Sequence, residues 1–186
     1  ASKNLNGPNT VSDKKIQSLI KECKNYKIES VLLTQYVSLD ELIKQIDFTK
    51  PKTISCSFHF SKSELNTIRN TFKKLRIGIA VNPENFKISY LRSIKDIVNV
   101  IYFDLNVYKS KSIKKYSLNK NLEQINLIKK LKIPVFIGGG INQNNVSKII
   151  NSVKPDGIDI SRSLKNSKNI LSSKKLNSLL SQISVA

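Results

Sequence analysis

The sequence predicts an α/β protein built around a parallel sheet. Short apolar runs rich in Ile and Val alternate with longer segments whose apolar residues recur at helical spacing, which is typical of strand–helix units. The chain has 186 residues, of which 39% are hydrophobic, so it can bury a core. We therefore expect a single domain over residues 1–186.

Six runs are predicted to be strands. Each is short, apolar and rich in β-branched residues, as the strands of a buried parallel sheet are. In chain order they are Ile28–Thr34, Thr53–His59, Ile77–Val81, Val98–Leu105, Ile133–Ile137 and Gly157–Ser161.

Segments with helical spacing precede and follow these strands. The first, Ser12–Lys24, lies before all of them, so we expect one helix and then six strand–helix units. Ser38 and Ser61 are predicted helix starts, because each is followed by acidic residues within three positions. The polar, lysine-rich stretch 106–121 is predicted to be an irregular loop. In each predicted helix the apolar residues recur at helical spacing and form a stripe along one face. These stripes are Ile16, Leu19, Ile20, Cys23; Leu39, Leu42, Ile43, Ile46; Leu91, Ile94, Ile97; Leu122, Ile125, Leu127, Ile128; Val146, Ile149, Ile150, Val153; and Leu176, Leu179, Leu180, Ile183.

The charge balance is strongly positive. The 32 Lys and Arg residues exceed the 13 Asp and Glu residues by 19. Arginines occur only at Arg69, Arg76, Arg92 and Arg162, and the lysines are scattered among Asn, Ile and Ser. Since nucleic-acid sites favour the planar guanidinium group, we interpret the charge as a lysine-coated surface and expect no nucleic-acid partner.

Signals for membrane insertion or secretion are missing from the sequence. No apolar run reaches roughly 18 residues, and the first six residues form no apolar signal region. The two cysteines, Cys23 and Cys56, are too few for a disulfide framework or a zinc site. We therefore expect a reducing, cytoplasmic location, no membrane partner and no metal.

A glycine-rich turn follows the fifth predicted strand. Gly138, Gly139 and Gly140 connect this strand to a helix, and such a turn lets backbone amides approach an anion. A plain strand-to-helix turn is the alternative. The next strand ends in Ser161-Arg162-Ser163, a second set of anion-binding groups.

Two consecutive anion-binding loops near the C-terminus favour a particular fold. In (β/α)₈ barrels, the TIM-barrel architecture, the loops after the seventh and eighth strands form the common phosphate site. We therefore predict such a barrel, whose first strand, first helix and second strand, roughly 40 residues, precede Ala1. An open six-stranded sheet is the alternative. The predicted phosphate-binding residues are Gly139, Gly140, Ser161, Arg162 and Ser163.

One carboxylate is a candidate catalytic group. Asp104 lies near the end of the fourth predicted strand, after a run of apolar residues, and a carboxylate at the C-terminal end of a barrel strand is typical of catalytic residues. The alternative is an aspartate that caps the following loop. The lone histidine, His59, is interpreted as a satisfied structural histidine.

Residues 134–146 and 154–161 resemble the last third of the phosphoribosylanthranilate isomerases, and Gly7–Ser12 is similar to the segment after that family's second strand. The resemblance implies an Amadori rearrangement of N-(5′-phosphoribosyl)anthranilate in tryptophan biosynthesis, with no metal or cofactor. It implies that Asp104 is the general acid and that Asp159 lies near the anthranilate amine. The expected partner is a phosphosugar substrate, and the expected state is a monomer or homodimer.

The sequence also departs from this family. The family's general base is a cysteine in a Lys-x-Cys-Gly motif, which this sequence does not contain, and neither Cys23 nor Cys56 matches its position. Asn9 stands where the family has an arginine that binds the anthranilate carboxylate, and 109–117 replaces a glycine-rich loop.

Three other functions stay open at this point. One is another phosphosugar barrel enzyme such as a ribulose-phosphate 3-epimerase, although its metal chemistry needs more than one histidine. Another is a degenerate barrel that binds phosphate compounds without turnover. Nucleic-acid binding is the third.

Overall fold

The computed structural model describes residues 10–109 and 112–184 of the chain. These residues form two compact units, and each is described by itself. The first comprises the residues up to 80 together with 89–100, and the second comprises 81–88 and the residues from 101 onward. A single domain over residues 1–186 stays a prediction.

The first unit is built from strand–helix repeats. Its strands β1 (Val31–Thr34), β2 (Thr53–Cys56) and β3 (Arg76–Val81) are parallel and adjacent in that order, with Thr34 opposite Cys56 and Cys56 opposite Ile79. The elements, in chain order, are α1 (Asp13–Asn25), β1 (Val31–Thr34), α2 (Leu39–Thr49), β2 (Thr53–Cys56), α3 (Lys62–Thr71), β3 (Arg76–Val81) and α4 (Ile88–Ile94).

Both predicted helix starts in this unit are confirmed. The Ser38 hydroxyl accepts a hydrogen bond from the Glu41 amide at the start of α2. At the start of α3, Ser61 and Glu64 form a capping box in which each side chain binds the other residue's backbone amide. The predicted stripe of α1 is narrower than expected, because Ile16 and Ile20 are buried but Leu19 is 39% exposed.

Two of the four arginines have structural partners in the first unit. Arg69 donates to the Ile97 carbonyl at 2.7 Å and to the Asn99 side-chain oxygen at 2.6 Å. Arg76 forms an ion pair with Glu29 at 3.0 Å. These contacts account for both guanidinium groups without an external anion.

The second unit contains the other three parallel strands. Strands β4 (Val100–Asp104), β7 (Val135–Gly138) and β8 (Gly157–Asp159) are adjacent in that order. Asp104 lies opposite Gly138, and Gly138 lies opposite Asp159. The three strands therefore end at the same level, so that the segments that follow them share one edge of the sheet.

The prediction of an irregular loop over 106–121 was wrong. An antiparallel hairpin follows β4, formed by β5 (Asn106–Lys109) and β6 (Ser112–Lys115). Helix α5 (Leu118–Lys129) begins inside the same stretch. The many lysines hid the strand formers Val107 and Ile113, because Lys lowers β propensity without preventing a strand at an exposed position.

The other predicted elements of this unit are confirmed, with shorter strands than expected. They are completed by α6 (Val146–Val153), the short 3₁₀ helix Arg162–Leu164 and α7 (Ser173–Ser184). Among the helices of the described residues, none is long and apolar enough to cross a membrane.

Candidate functional site

A cavity of about 300 Å³ lies at the C-terminal ends of β4, β7 and β8. The structure brings all seven site residues predicted from the sequence to its lining, and their functional roles stay predictions. They are Asp104, Gly139, Gly140, Asp159, Ser161, Arg162 and Ser163.

The glycine turn after β7 requires glycine at two positions. Gly139 has φ +91° and Gly140 has φ +75°, conformations that L side chains rarely adopt. A Cβ on Gly139 would collide with Asp104 Oδ1 and lie 2.6 Å from the Leu105 amide nitrogen. A Cβ on Gly140 would meet nothing within 4 Å. Gly139 thus permits close approach to the end of β4, whereas Gly140 borders open space.

Two asparagines hold this turn in place. Both the Asn142 and the Asn145 side-chain amides donate to the Gly140 carbonyl, at 3.2 Å and 3.1 Å. The Asn145 side-chain oxygen also accepts from the Asn142 amide at 2.9 Å. Sequence reasoning missed these residues, although Asn at the start of a helix is an ordinary signal for such bonds.

The segment after β8 is tied directly to the glycine turn. Ser163 Oγ donates to the Ile141 carbonyl at 2.6 Å, and Ser163 is half-buried. Ser161 and Arg162 are exposed and line the cavity. The two predicted anion-binding segments therefore open onto the same cavity and are joined by a hydrogen bond.

Asp104 is half-buried at the end of β4. Its Oδ1 accepts a hydrogen bond from the Asn106 amide at 2.8 Å, so the carboxylate does cap the following segment. Asp104 nevertheless lines the cavity, and the capping bond fixes the direction of its carboxyl group. The two interpretations of this residue are therefore compatible.

Asp159 lies beside the same strand end, with its Cβ 3.3 Å from the position of a Cβ built on Gly138. The residue is exposed, but its Oδ2 lies 3.5 Å from that Cβ position, so the end of β7 takes solvent from one side of the carboxyl group. This loss of solvation raises the pKa of the Asp159 carboxyl above its usual value.

The structure adds two lining residues that sequence reasoning missed, Asn106 and Lys115. They lie opposite each other in the β5–β6 hairpin. Asn106 is only 4% exposed, whereas Lys115 is exposed. A lysine within a lysine-rich stretch carries no sequence signal of its own, and the sequence predicted a loop where the hairpin lies.

Cys56 and His59, both in the first unit, are surrounded by groups of the protein core and backbone. Cys56 is fully buried, and burial raises the pKa of its thiol to about 12. His59 Nε2 lies 3.0 Å from the Ala80 carbonyl, and its ring stacks on Tyr90. Tyr90 donates its hydroxyl proton to the Phe60 carbonyl at 2.8 Å, and burial raises the pKa of the phenol. These contacts agree with the interpretation of His59 as structural.

Gly7, Pro8 and Asn9, which contribute to the family resemblance, lie outside the described residues.

Comparison with known proteins gives consistent results. No protein-family model matches the chain. It is 23% identical over 163 residues to N-(5′-phosphoribosyl)anthranilate isomerase 2 of Methanosarcina mazei, covering 81% of this chain and 67% of that protein. It is 53% identical over 47 residues to the N-(5′-phosphoribosyl)anthranilate isomerase of Methanococcus voltae, covering 24% of this chain and 70% of that protein.

Solved structures give the fold. Phosphoribosylanthranilate isomerase from Thermococcus kodakaraensis superimposes with a TM-score of 0.77 at 17% identity, covering 98% of this chain and 86% of that one. A phosphoribosylanthranilate isomerase in complex with reduced 1-(o-carboxyphenylamino)-1-deoxyribulose 5-phosphate superimposes with a TM-score of 0.68 at 10% identity. This match covers 95% of this chain and 81% of that one.

These likenesses confirm the predicted fold class, since the similar structures are (β/α)₈ barrels. The protein is thus of the class of (β/α)-barrel isomerases. By its similarity to the Methanococcus voltae protein, the chain belongs to the phosphoribosylanthranilate isomerase family. That one helix and two strands precede Ala1 stays a prediction.

Proposed function

We propose that this protein catalyses the Amadori rearrangement of N-(5′-phosphoribosyl)anthranilate in tryptophan biosynthesis. The observation that carries the proposal is the convergence of two carboxylates and two anion-binding segments on one cavity. Asp104 and Asp159 lie on either side of Gly138 in the sheet register. The family to which the chain belongs supports the same activity.

The phosphate of the substrate is bound between the glycine turn and the segment after β8. Positive φ angles at Gly139 and Gly140 allow backbone amides to approach an oxyanion closely. The Ser161 hydroxyl and the Arg162 guanidinium supply further donors, and a guanidinium can bind two phosphate oxygens at once. The Ser163 hydroxyl donates its one proton to the Ile141 carbonyl and so holds this segment against the glycine turn.

Asp104 acts as the general acid. Its proton passes to the ribose ring oxygen as the bond between that oxygen and C1′ breaks, and the nitrogen lone pair forms the C1′=N double bond of an iminium ion. Loss of the C2′ proton then gives an enol amine, which tautomerises to the amino ketone product. The reaction is an isomerisation, so no oxidant or reductant is consumed.

Asp159 orients the amine. A carboxylate beside the nitrogen accepts its N–H and stabilises the positive charge that develops as the ring opens. The raised pKa of Asp159 reflects the partial exclusion of water, which strengthens such an interaction. The cavity lining within the described residues contains no cysteine or histidine, so we leave the group that accepts the C2′ proton unassigned.

The ligand in this proposal is a small phosphosugar. The oligomeric state, a monomer or homodimer, stays a prediction, and so does the reducing, cytoplasmic location.

The proposal is tested by measuring two properties of the protein. Turnover is followed with N-(5′-phosphoribosyl)anthranilate, and binding is measured by calorimetry with the reduced carboxyphenylamino-deoxyribulose phosphate. Turnover together with tight binding of this analogue is expected. Binding of phosphate compounds without turnover would instead identify a degenerate barrel, and failure to bind the analogue would refute the proposed substrate.

A further inference from the structure

The β5–β6 hairpin brings a second cation to the candidate site. Asn106 and Lys115 are directly opposite residues of the antiparallel ladder, so their side chains leave the same face of the hairpin. Both residues line the cavity at the strand ends. Both also line an adjoining cavity of about 330 Å³, which shares Gly139 and Gly140 with the first.

The other face of the hairpin is held by hydrogen bonds to the carboxylate of Glu84. Lys114 and Tyr116 flank Lys115, and in a strand neighbouring side chains point to opposite faces. Glu84 Oε1 accepts from Lys114 Nζ at 3.0 Å and from the Tyr116 hydroxyl at 2.7 Å. This double contact holds one face of the hairpin and leaves the face with Asn106 and Lys115 directed at the cavity.

The charges of the cavity favour a ligand with two anionic ends. Its lining includes the carboxylates Asp104 and Asp159 and the cations Arg162 and Lys115. Among the described carboxylates, none forms an ion pair with Lys115. The ammonium group of Lys115 is therefore available to a ligand.

The two cations are separated by the strand order. Arg162 follows β8, whereas Lys115 belongs to the hairpin that follows β4, and β7 lies between these strands. Neighbouring strands are about 4.8 Å apart, so the two segments leave the sheet roughly 10 Å from each other. A ligand whose two anionic groups stand at opposite ends of an extended molecule fits this arrangement better than a compact single anion.

We infer that Lys115, with Asn106 beside it, binds the carboxylate of the substrate's aminobenzoate ring. The phosphate then lies at the opposite side, between the glycine turn and Ser161–Ser163. This inference rests on the proposed function, because it assigns one end of the proposed substrate. Lys115 is thereby the residue that distinguishes a carboxyphenylamino sugar phosphate from a simple sugar phosphate.

The test compares three ligands by calorimetry. They are the reduced carboxyphenylamino-deoxyribulose phosphate, ribulose 5-phosphate and inorganic phosphate. In Lys115→Met we expect affinity for the first to fall about tenfold, as for loss of a charge-assisted hydrogen bond, while affinity for the other two changes less than about twofold. Lys115→Arg should retain most of the affinity. Lys120→Met, which removes an exposed lysine that lines neither cavity, is the matched control.

Two results for Lys115→Met would overturn the inference alone. One is unchanged affinity for the analogue. The other is an equal loss for all three ligands, which would assign Lys115 to the phosphate. If the unaltered protein binds ribulose 5-phosphate but not the analogue, the proposed function fails, and the inference fails with it.

Discussion

Ser163 Oγ donates a 2.6 Å hydrogen bond to the carbonyl of Ile141 and so joins the segment after β8 to the turn after β7. The two segments are separated by 22 residues in the chain, yet they line one cavity. In the proposed function this bond keeps the two halves of the phosphate site at a constant separation.

Replacing Ser163 by alanine should therefore weaken phosphate binding. The lost bond to Ile141 corresponds to about 1 kcal/mol, or roughly a fivefold rise in the Kd for inorganic phosphate. Calorimetric titration measures this. Ser181→Ala, which removes an exposed hydroxyl bonded within α7, is the control and should bind phosphate normally. Equal affinity in the two variants would show that the Ser163 bond is irrelevant to the site.

Gly139→Ala should destabilise the protein more than Gly140→Ala. Both positions have positive φ, so both variants carry a backbone cost of roughly 1 kcal/mol. Only at position 139 does the new methyl group collide with Asp104 and the Leu105 amide, and the site must move to relieve this. In urea unfolding, the free energy of unfolding of Gly139→Ala should be lower than that of Gly140→Ala by about 1–3 kcal/mol, the usual cost of overpacking. Similar unfolding free energies for the two variants would contradict the close contact.

Asp104→Asn should reduce turnover by roughly 10²- to 10⁴-fold, the usual contribution of a general acid. Asparagine retains an oxygen that can accept from the Asn106 amide, so the fold of this segment should persist. Binding of inorganic phosphate should persist or become stronger, because its ligands follow β7 and β8 and the substitution removes a negative charge from the same cavity. Steady-state kinetics and calorimetry on the same preparation separate the two effects. Full activity in Asp104→Asn would remove this residue as the acid.

The raised pKa of Asp159 predicts a pH-dependent effect on stability. The folded protein holds this proton more tightly than the unfolded chain, so the contribution of Asp159 to stability falls as pH rises from about 4 through the raised pKa. Asp159→Asn removes the titrating group. At low pH the free energy of unfolding of this variant should equal that of the wild type or be lower. As pH approaches 7, the free energy of unfolding of the variant should rise relative to that of the wild type. Urea unfolding across that range checks the sign, and a relative loss with rising pH would contradict it.

Glu84→Ala should loosen the hairpin without touching the cavity directly. It removes both contacts of the Glu84 carboxylate, to Lys114 and to Tyr116. We expect a smaller loss of affinity for the reduced product analogue than in Lys115→Met, at most about threefold, because Lys115 is still present but less well directed. Hydrogen exchange of the hairpin amides should become faster. Unchanged exchange would show that Glu84 does not hold the hairpin.

Much of the fold was predictable because it follows local rules. The alternation of apolar strands with amphipathic segments predicted all six parallel strands and the helices between them. The helix starts at Ser38 and Ser61 were predicted from acidic residues within three positions of each serine. Strand ends were less predictable. Ile28–Thr34 was expected to be a strand, but only Val31–Thr34 pairs with a neighbour, because pairing depends on the length of the adjacent strand.

The β5–β6 hairpin was missed for a different reason. Its strands are short and lysine-rich, and their pairing is stabilised from outside by the contacts of Glu84 with Lys114 and Tyr116. Such contacts join residues about thirty positions apart. The sequence pattern of the hairpin segment therefore could not predict these contacts with Glu84.

The sequence by itself determined the order of strands and helices, the glycine turn and the aspartate that ends β4, since each depends on neighbouring residues. Only the tertiary structure decided that Asp104 and Asp159 flank Gly138, that Ser163 binds Ile141, and that Asn106 and Lys115 enter the site. The physical reason is that strand register and hydrogen bonds between distant segments arise from packing of the whole sheet, whereas turns and caps arise from the backbone geometry of a few consecutive residues.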